Sequence, residues 1–280
     1  MPDVTLSAGV LSYEDSGGDG PIVVLVGGLA MSASVWRTVV AELSPTHRCL
    51  ALTLPLGSHR RPMNPYADLS TRGLARLEGE FLEVLDLADV TLVGNDSGAF
   101  LFTAAQDVGR ISRLVITTCE AFENFPPGLP GSSLVWSARL PGGVALSAQA
   151  LRCRFLRRLP MTYGWMSKRS VPHEIVDAWV APLVGSREIR RDLRKYLLTA
   201  QRGDMLAAAE ELRSFDRPTL VVWTPEDRVM KPEHGRRFAD LLPHARLVEI
   251  EDSFTLIPED QPLVLARHIR EFVATSGAGR

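Results

Sequence analysis

The sequence predicts an α/β fold, a doubly wound and mostly parallel sheet with an inserted helical lid. Three observations predict it. Short apolar runs without polar alternation, such as Ile22–Val26 and Thr219–Trp223, read as strands covered on both faces. They alternate with segments of helical periodicity at the interval that strand–helix units require. The alternation then stops over residues 122–213, where no strong strand pattern occurs, and resumes afterwards.

Taken in order, residues 4–15 alternate loosely with a break at Gly9 and read as an N-terminal hairpin. The cluster at 16–21 is a turn. The run 22–26 is followed by Gly27, Gly28 and Leu29, then by a helix over about 34–43 and a strand over 49–53. Residues 70–87 place Leu74, Leu77, Phe81, Val84 and Leu85 on one helical face behind a plausible N-cap, Ser70. Strands follow at 90–93 and 114–117, and helices at 174–183 and 187–198 fall inside the insertion. Beyond it come the strand 219–223, a helix over 232–242, a strand over 245–250 and a final helix. That helix carries Pro258 in its first turn and a core stripe of Leu265, Ile269 and Phe272. Residues 275–280 read as a frayed tail. The expected division is a core of 1–121 and 214–280 with a lid of 122–213.

With 280 residues, 45% hydrophobic content and 23% charged, the chain can bury one large core. Its net charge of −2 gives no reason to expect nucleic acid or an acidic membrane as a partner. The charge is uneven, because residues 122–213 carry 14 Lys and Arg against 8 Asp and Glu. That excess could draw anionic ligands or simply solvate a helical face. Three widely spaced cysteines, the lack of a leader pattern and the lack of a long apolar run lead to the expectation of a reduced, cytoplasmic protein. No metal spacing, phosphate loop or dinucleotide fingerprint is visible, so no cofactor and no metal are expected. The expected partner is a small hydrophobic molecule, with neither nucleic acid nor membrane, and the expected state is a monomer or homodimer.

The segment Val93-Gly94-Asn95-Asp96-Ser97-Gly98 holds the chemistry. A strand enters a helix through Gly-x-Asp-x-Gly, a turn so tight that glycines belong beside its central residue. The turn would hold the Asp96 carboxylate above the sheet, beside a helix N-terminus that favours its ionised form. On these residues alone, an ordinary strand–helix turn with a capping Asp would read the same way.

Three motifs in fixed order make the chain resemble the α/β-hydrolase superfamily over nearly its whole length. They are Gly27-Gly28-Leu29, the elbow at 94–98, and Trp223-Thr224-Pro225-Glu226-Asp227 after the insertion. The resemblance implies the α/β-hydrolase fold with Asp96 at the nucleophile position, as in its epoxide-hydrolase and haloalkane-dehalogenase branches. It also implies oxyanion-stabilising amides at Leu29 and Ser97, and Asp227 as the catalytic acid. A carboxylate nucleophile suits an sp³ carbon bearing a leaving group, because the alkyl ester that forms can later be cleaved by water. The dehalogenase branch carries halide-holding side chains where this chain has Ser97 and Leu29, so epoxide hydrolysis is the favoured expectation. Tyr163 and Tyr196, the tyrosines of the lid, are candidates to protonate an opening ring oxygen. Gly28 and Trp36, in and after the first motif, are further expected substrate contacts.

One position departs from the family pattern. The superfamily's general-base His maps to Thr255, and the loop 251–257 contains no His. His59 is a possible alternative base, because its loop leaves the side of the sheet where sites form. Carboxylates such as Glu120, Glu123 or Asp252 are others. Loss of a general base typically costs about 10²–10⁴ in rate. The readings left open are a hydrolase with a relocated base, a lyase, isomerase or cyclase in which Asp96 moves protons, and a ligand-binding protein without turnover.

Overall fold

The computed structural model describes residues 1–277. Eight strands form one sheet: β1 (Asp3–Leu6), β2 (Gly9–Asp15), β3 (Ile22–Val26), β4 (Arg48–Thr53), β5 (Val90–Asp96), β6 (Ile111–Cys119), β7 (Thr219–Trp223) and β8 (Ala245–Glu249). Their spatial order is β1-β2-β4-β3-β5-β6-β7-β8. Only β2 runs antiparallel to its neighbours; the pairings from β4 through β8 are parallel. All residues of β5, β6 and β7 are buried, which explains why their sequences lack polar alternation.

The chain passes from β3 to β4 on one side and then returns to place β5 on the other. The strand order therefore reverses at β3, and in open α/β sheets sites form beyond the carboxyl ends of the strands at such a reversal. The ends of β3, β5 and β6 lead into Leu29, Asp96 and Glu120 respectively.

The helix Thr71–Val84 starts where Ser70 Oγ accepts a 3.1 Å hydrogen bond from the Gly73 amide. Residues 122–213 contribute no strand, and their helices include Gly128–Arg139, Gly143–Ala150, His173–Gly185, Arg187–Thr199 and Arg202–Leu212. Asp260 fastens this insertion to the core. Its buried carboxylate accepts the amides of Lys168, Arg169 and Phe254 at 2.8–3.0 Å and the Ser167 hydroxyl at 2.8 Å.

Two boundaries differ from expectation. Pro258 belongs to a separate short helix, Ile257–Asp260, and the last helix, Pro262–Gly277, begins at a second proline. That helix continues through residues expected to fray, and positions 278–280 of the expected tail lie outside the described residues.

Candidate active site

The elbow is built by close approach. Asp96 ends β5 with φ at +69°, a left-handed conformation that non-glycine residues rarely adopt. A Cβ on Gly94 would lie 2.2 Å from the Phe100 ring, and one on Gly98 would lie 2.4 Å from Met205 Sδ and 2.6 Å from the Glu120 carbonyl. Gly28 is under the same pressure, since a Cβ there would lie 2.0 Å from Asp96 Oδ2.

The neighbouring amide of Leu29 donates a 2.8 Å hydrogen bond to Asp96 Oδ2. The Ser97 amide, expected beside it, donates instead to the Asn95 carbonyl at 3.0 Å. The positive φ at Asp96 closes a three-residue turn that takes up this donor. Of the two amides expected to serve an oxyanion, Leu29 is thus the one that meets the carboxylate.

Asp96 and Glu120 both line a cavity of about 280 Å³ bounded by the first motif and the insertion. Its walls are mainly apolar, including Met31, Leu134, Leu156 and Met166, with no Lys, Arg or His among the described lining residues. Burial pushes the Asp96 carboxyl up to about 6, against the opposing pull of the Leu29 amide. Burial and the Asp96 charge push Glu120 up to about 8, opposed by hydrogen bonds from Tyr196 and the Gly98 amide. Glu120 Oε2 accepts the Tyr196 hydroxyl at 2.8 Å, and its buried Oε1 has no partner among the described residues.

Another buried carboxyl, Asp227, lies behind the elbow. Asp227 Oδ1 accepts the Val229 amide at 2.7 Å, the Met230 amide at 2.9 Å and the Thr255 hydroxyl at 2.9 Å. Burial, only partly offset by those bonds, raises Asp227 to about 7. Asn95 Nδ2 donates to the Thr255 carbonyl at 2.9 Å and to Thr117 Oγ1 at 2.9 Å, tying the elbow to the same loop. The structure therefore brings Asp227 and Thr255 together, while neither is among the lining residues of the cavity.

Other expected site residues take different places. His59 is buried outside the cavity lining, with Nδ1 accepting from the Gly57 amide and Nε2 3.3 Å from Asp192 Oδ2. These contacts fasten its loop to the insertion. Trp36 is fully enclosed below the first motif and does not reach the cavity. Tyr163 does line it, but its hydroxyl donates to the Ala30 carbonyl at 2.8 Å. Tyr196 stands behind Glu120. Burial holds both phenols above their ordinary range, so they stay protonated and orient their acceptors. Of the other carboxylates considered as bases, Glu123 pairs with Arg237, and Asp252 pairs with Lys168 and Arg169.

The sequence matches the description "Alpha/beta hydrolase family" over residues 23–267. The chain belongs to the alpha/beta hydrolase family. Among its relatives, "Uncharacterized hydrolase YugF" of Bacillus subtilis is 24% identical, spanning 90% of this chain and 89% of its own length. A haloalkane dehalogenase of Mesorhizobium japonicum is 24% identical, with 94% and 87% covered. A cis-3-alkyl-4-alkyloxetan-2-one decarboxylase of Xanthomonas campestris is 25% identical, with 94% and 92% covered. The solved haloalkane dehalogenase DbeA of Bradyrhizobium elkani superposes with a TM-score of 0.78 at 18% identity, covering 99% of this chain and 98% of its own. The shared alpha/beta hydrolase fold accounts for the place of the cavity, at the carboxyl ends of β3, β5 and β6.

Proposed function

We propose that this alpha/beta hydrolase opens a small apolar epoxide by nucleophilic attack of Asp96, with Glu120 as the proton carrier. One observation carries the reading: two buried carboxyls with different acidities share one apolar wall. At pH 7 Asp96 is largely ionised and Glu120 largely protonated, which is the pair of states that ring opening needs.

In the first step Asp96 Oδ1 attacks a ring carbon and the carbon–oxygen bond breaks. The Glu120 proton passes to the departing oxygen. The product is an alkyl ester on Asp96, and Glu120 is left as a carboxylate. In the second step Glu120 takes a proton from water, and the resulting hydroxide adds to the ester carbonyl. The Leu29 amide faces the oxyanion that forms. Collapse expels the diol alkoxide, which takes the proton left on Asp96, so both groups return to their starting states.

The same wall disfavours a halide as leaving group. A departing halide needs fixed donors, and the described lining residues include no Trp, Asn or basic side chain to supply them. An opening ring oxygen needs a proton, which Glu120 holds. A second, non-hydrolytic reading is favoured by the lack of an imidazole among the described residues of the cavity wall. Two relatives carry the name of an oxetan-2-one decarboxylase, which denotes another strained ring.

Oxygen-18 water separates these readings. With enzyme in excess over a short-chain alkyl epoxide, the first turnover is expected to label the Asp96 carboxyl and leave the diol unlabelled. Label in the diol at the first turnover would mean direct attack by water. Neither adduct nor diol across a panel of epoxides would overturn the proposal, and alkene formation from an oxetan-2-one would favour the second reading.

A further inference from the structure

Between Glu123 and Glu174 the chain carries seven Arg and Lys and no Asp or Glu. This is also the segment that bounds the cavity opposite Asp96 and Glu120. Its outward side is unusually apolar. Six of the twelve exposed large hydrophobic side chains among the described residues lie here: Leu129, Trp136, Leu140, Leu146, Phe155 and Met161. Phe155 is 72% exposed, Leu146 74% and Trp136 66%. Single exposed apolar side chains are ordinary, but a concentration of them on one segment marks an interaction surface.

Three of the six lie together. Leu129, Ser133 and Trp136 share one face of the helix Gly128–Arg139, at spacings of four and three. Ser133 Oγ donates to the Met161 carbonyl at 3.1 Å, which draws the 161 loop to that face. Arg139, Arg152, Arg154 and Arg158 are exposed on the same segment and make no ion pair within 4 Å among the described residues, although Arg154 lies near enough to act on the Asp177 charge and Arg139 sits 5.9 Å from the Trp136 ring. Arg157, by contrast, is buried and paired with Asp177. The net charge of −2 for the whole chain conceals this concentration.

We propose that the outer face of residues 124–173 is a docking surface for an anionic lipid bilayer. Aromatic and aliphatic side chains bordered by unpaired arginines match such a surface: the apolar groups enter the headgroup boundary and the guanidinium groups meet lipid phosphates. A second copy of the chain fits poorly. A two-fold contact would set this cationic face against itself, with the half-exposed Asp177, already paired with Arg157, to offset it. Docking would be peripheral, since among the described residues no helix is long and apolar enough to cross a membrane. Met161 is 52% exposed and also lines the cavity, so it stands where the surface meets the substrate space. An apolar substrate dissolved in the bilayer would reach Asp96 by that route.

The proposal does not depend on the reaction assigned to Asp96, and vesicle binding needs no turnover, so the two fail separately. The full chain is mixed with phosphatidylcholine vesicles, with or without phosphatidylglycerol, and the bound fraction is read by flotation. Binding is expected to the anionic vesicles only, falling several-fold in 0.5 M salt. Arg154→Gln with Arg158→Gln should weaken it by about fivefold per arginine. Trp136→Ser with Phe155→Ser should remove it. In the parent protein, brominated lipid should quench a fluorescence component that is missing from Trp136→Phe. No association with anionic vesicles, or no quenching of Trp136, overturns the proposal. A lipid-free dimer that Trp136→Ser dissociates overturns it in favour of a second copy.

Discussion

The Thr255 hydroxyl donates a 2.9 Å hydrogen bond to Asp227 Oδ1, so a threonine occupies the place that the sequence resemblance assigns to an imidazole. Thr255 is wholly buried and its carbonyl is held by Asn95 and Thr118, which fixes the loop beside the elbow. Thr255→His would put a base between Asp227 and Asp96 at the cost of overpacking, typically 1–3 kcal/mol. The expected outcome is faster breakdown of the Asp96 ester, by about 10²-fold or more, with a lowered melting temperature. Pre-steady-state decay of the adduct, followed by mass spectrometry, measures it.

The alkylation half-reaction should have a bell-shaped pH dependence. Its acid limb reports ionisation of the carboxyl near 6, and its alkaline limb reports loss of the proton held near 8. Glu120→Gln should keep the acid limb, lose the alkaline one and slow ring opening by about 10²-fold or more. A single-turnover pH profile of both proteins decides it. Retention of the alkaline limb in Glu120→Gln would assign that proton to another group.

His59→Ala should leave adduct formation and turnover within about twofold of the parent. The imidazole meets Asp192 Oδ2 at 3.3 Å on a buried contact between the loop after β4 and the insertion. Removing it leaves the Asp192 carboxylate short of a partner, and buried losses of this kind cost about 1–3 kcal/mol. Thermal melts should therefore fall while single-turnover rates hold. A rate loss of 10²-fold without destabilisation would make His59 the relocated base.

What the sequence disclosed follows from how local each constraint is. The elbow was legible because a tight strand-to-helix turn writes its glycines beside the central residue, and Gly94 is required by the Phe100 ring six residues on, although Gly98 is also pressed by Met205 from the distant insertion. The strand–helix order was legible because buried parallel strands have an unbroken apolar character. Glu120 stood in the sequence as only one of several possible carboxylates. What distinguishes it is parallel register, with Asp96 opposite Cys119, and that register is not written in either strand. The His59–Asp192 contact spans 133 residues and depends on how the insertion folds back. Trp36 illustrates the opposite case, an aromatic beside a functional motif that serves as core. The outward face of residues 124–173 was hidden because composition shows apolar content without showing which side of the fold it lies on.

Glu78 offers a prediction about stability that is separate from the active site. This carboxyl is buried in the helix Thr71–Val84 against the helix Ala99–Gln106, where its Oε2 accepts the Thr103 hydroxyl at 2.6 Å and its Oε1 has no partner among the described residues. Burial pushes it up to about 8 from an ordinary value of 4.5. Below pH 4.5 the group is protonated in both folded and unfolded chains, and its titration contributes no pH dependence. As pH rises from 4.5 towards 8, the unfolded chain loses the proton and the folded chain keeps it, so stability falls across that window. Above pH 8 the loss is complete and levels off. Glu78→Gln removes this titration while keeping an acceptor for Thr103. The variant should therefore gain on the parent by about 2–4 kcal/mol between pH 5 and pH 9, measured as the change in their stability difference by urea denaturation. Equal pH slopes for the two proteins would show that Glu78 reaches solvent and ionises normally in the folded chain.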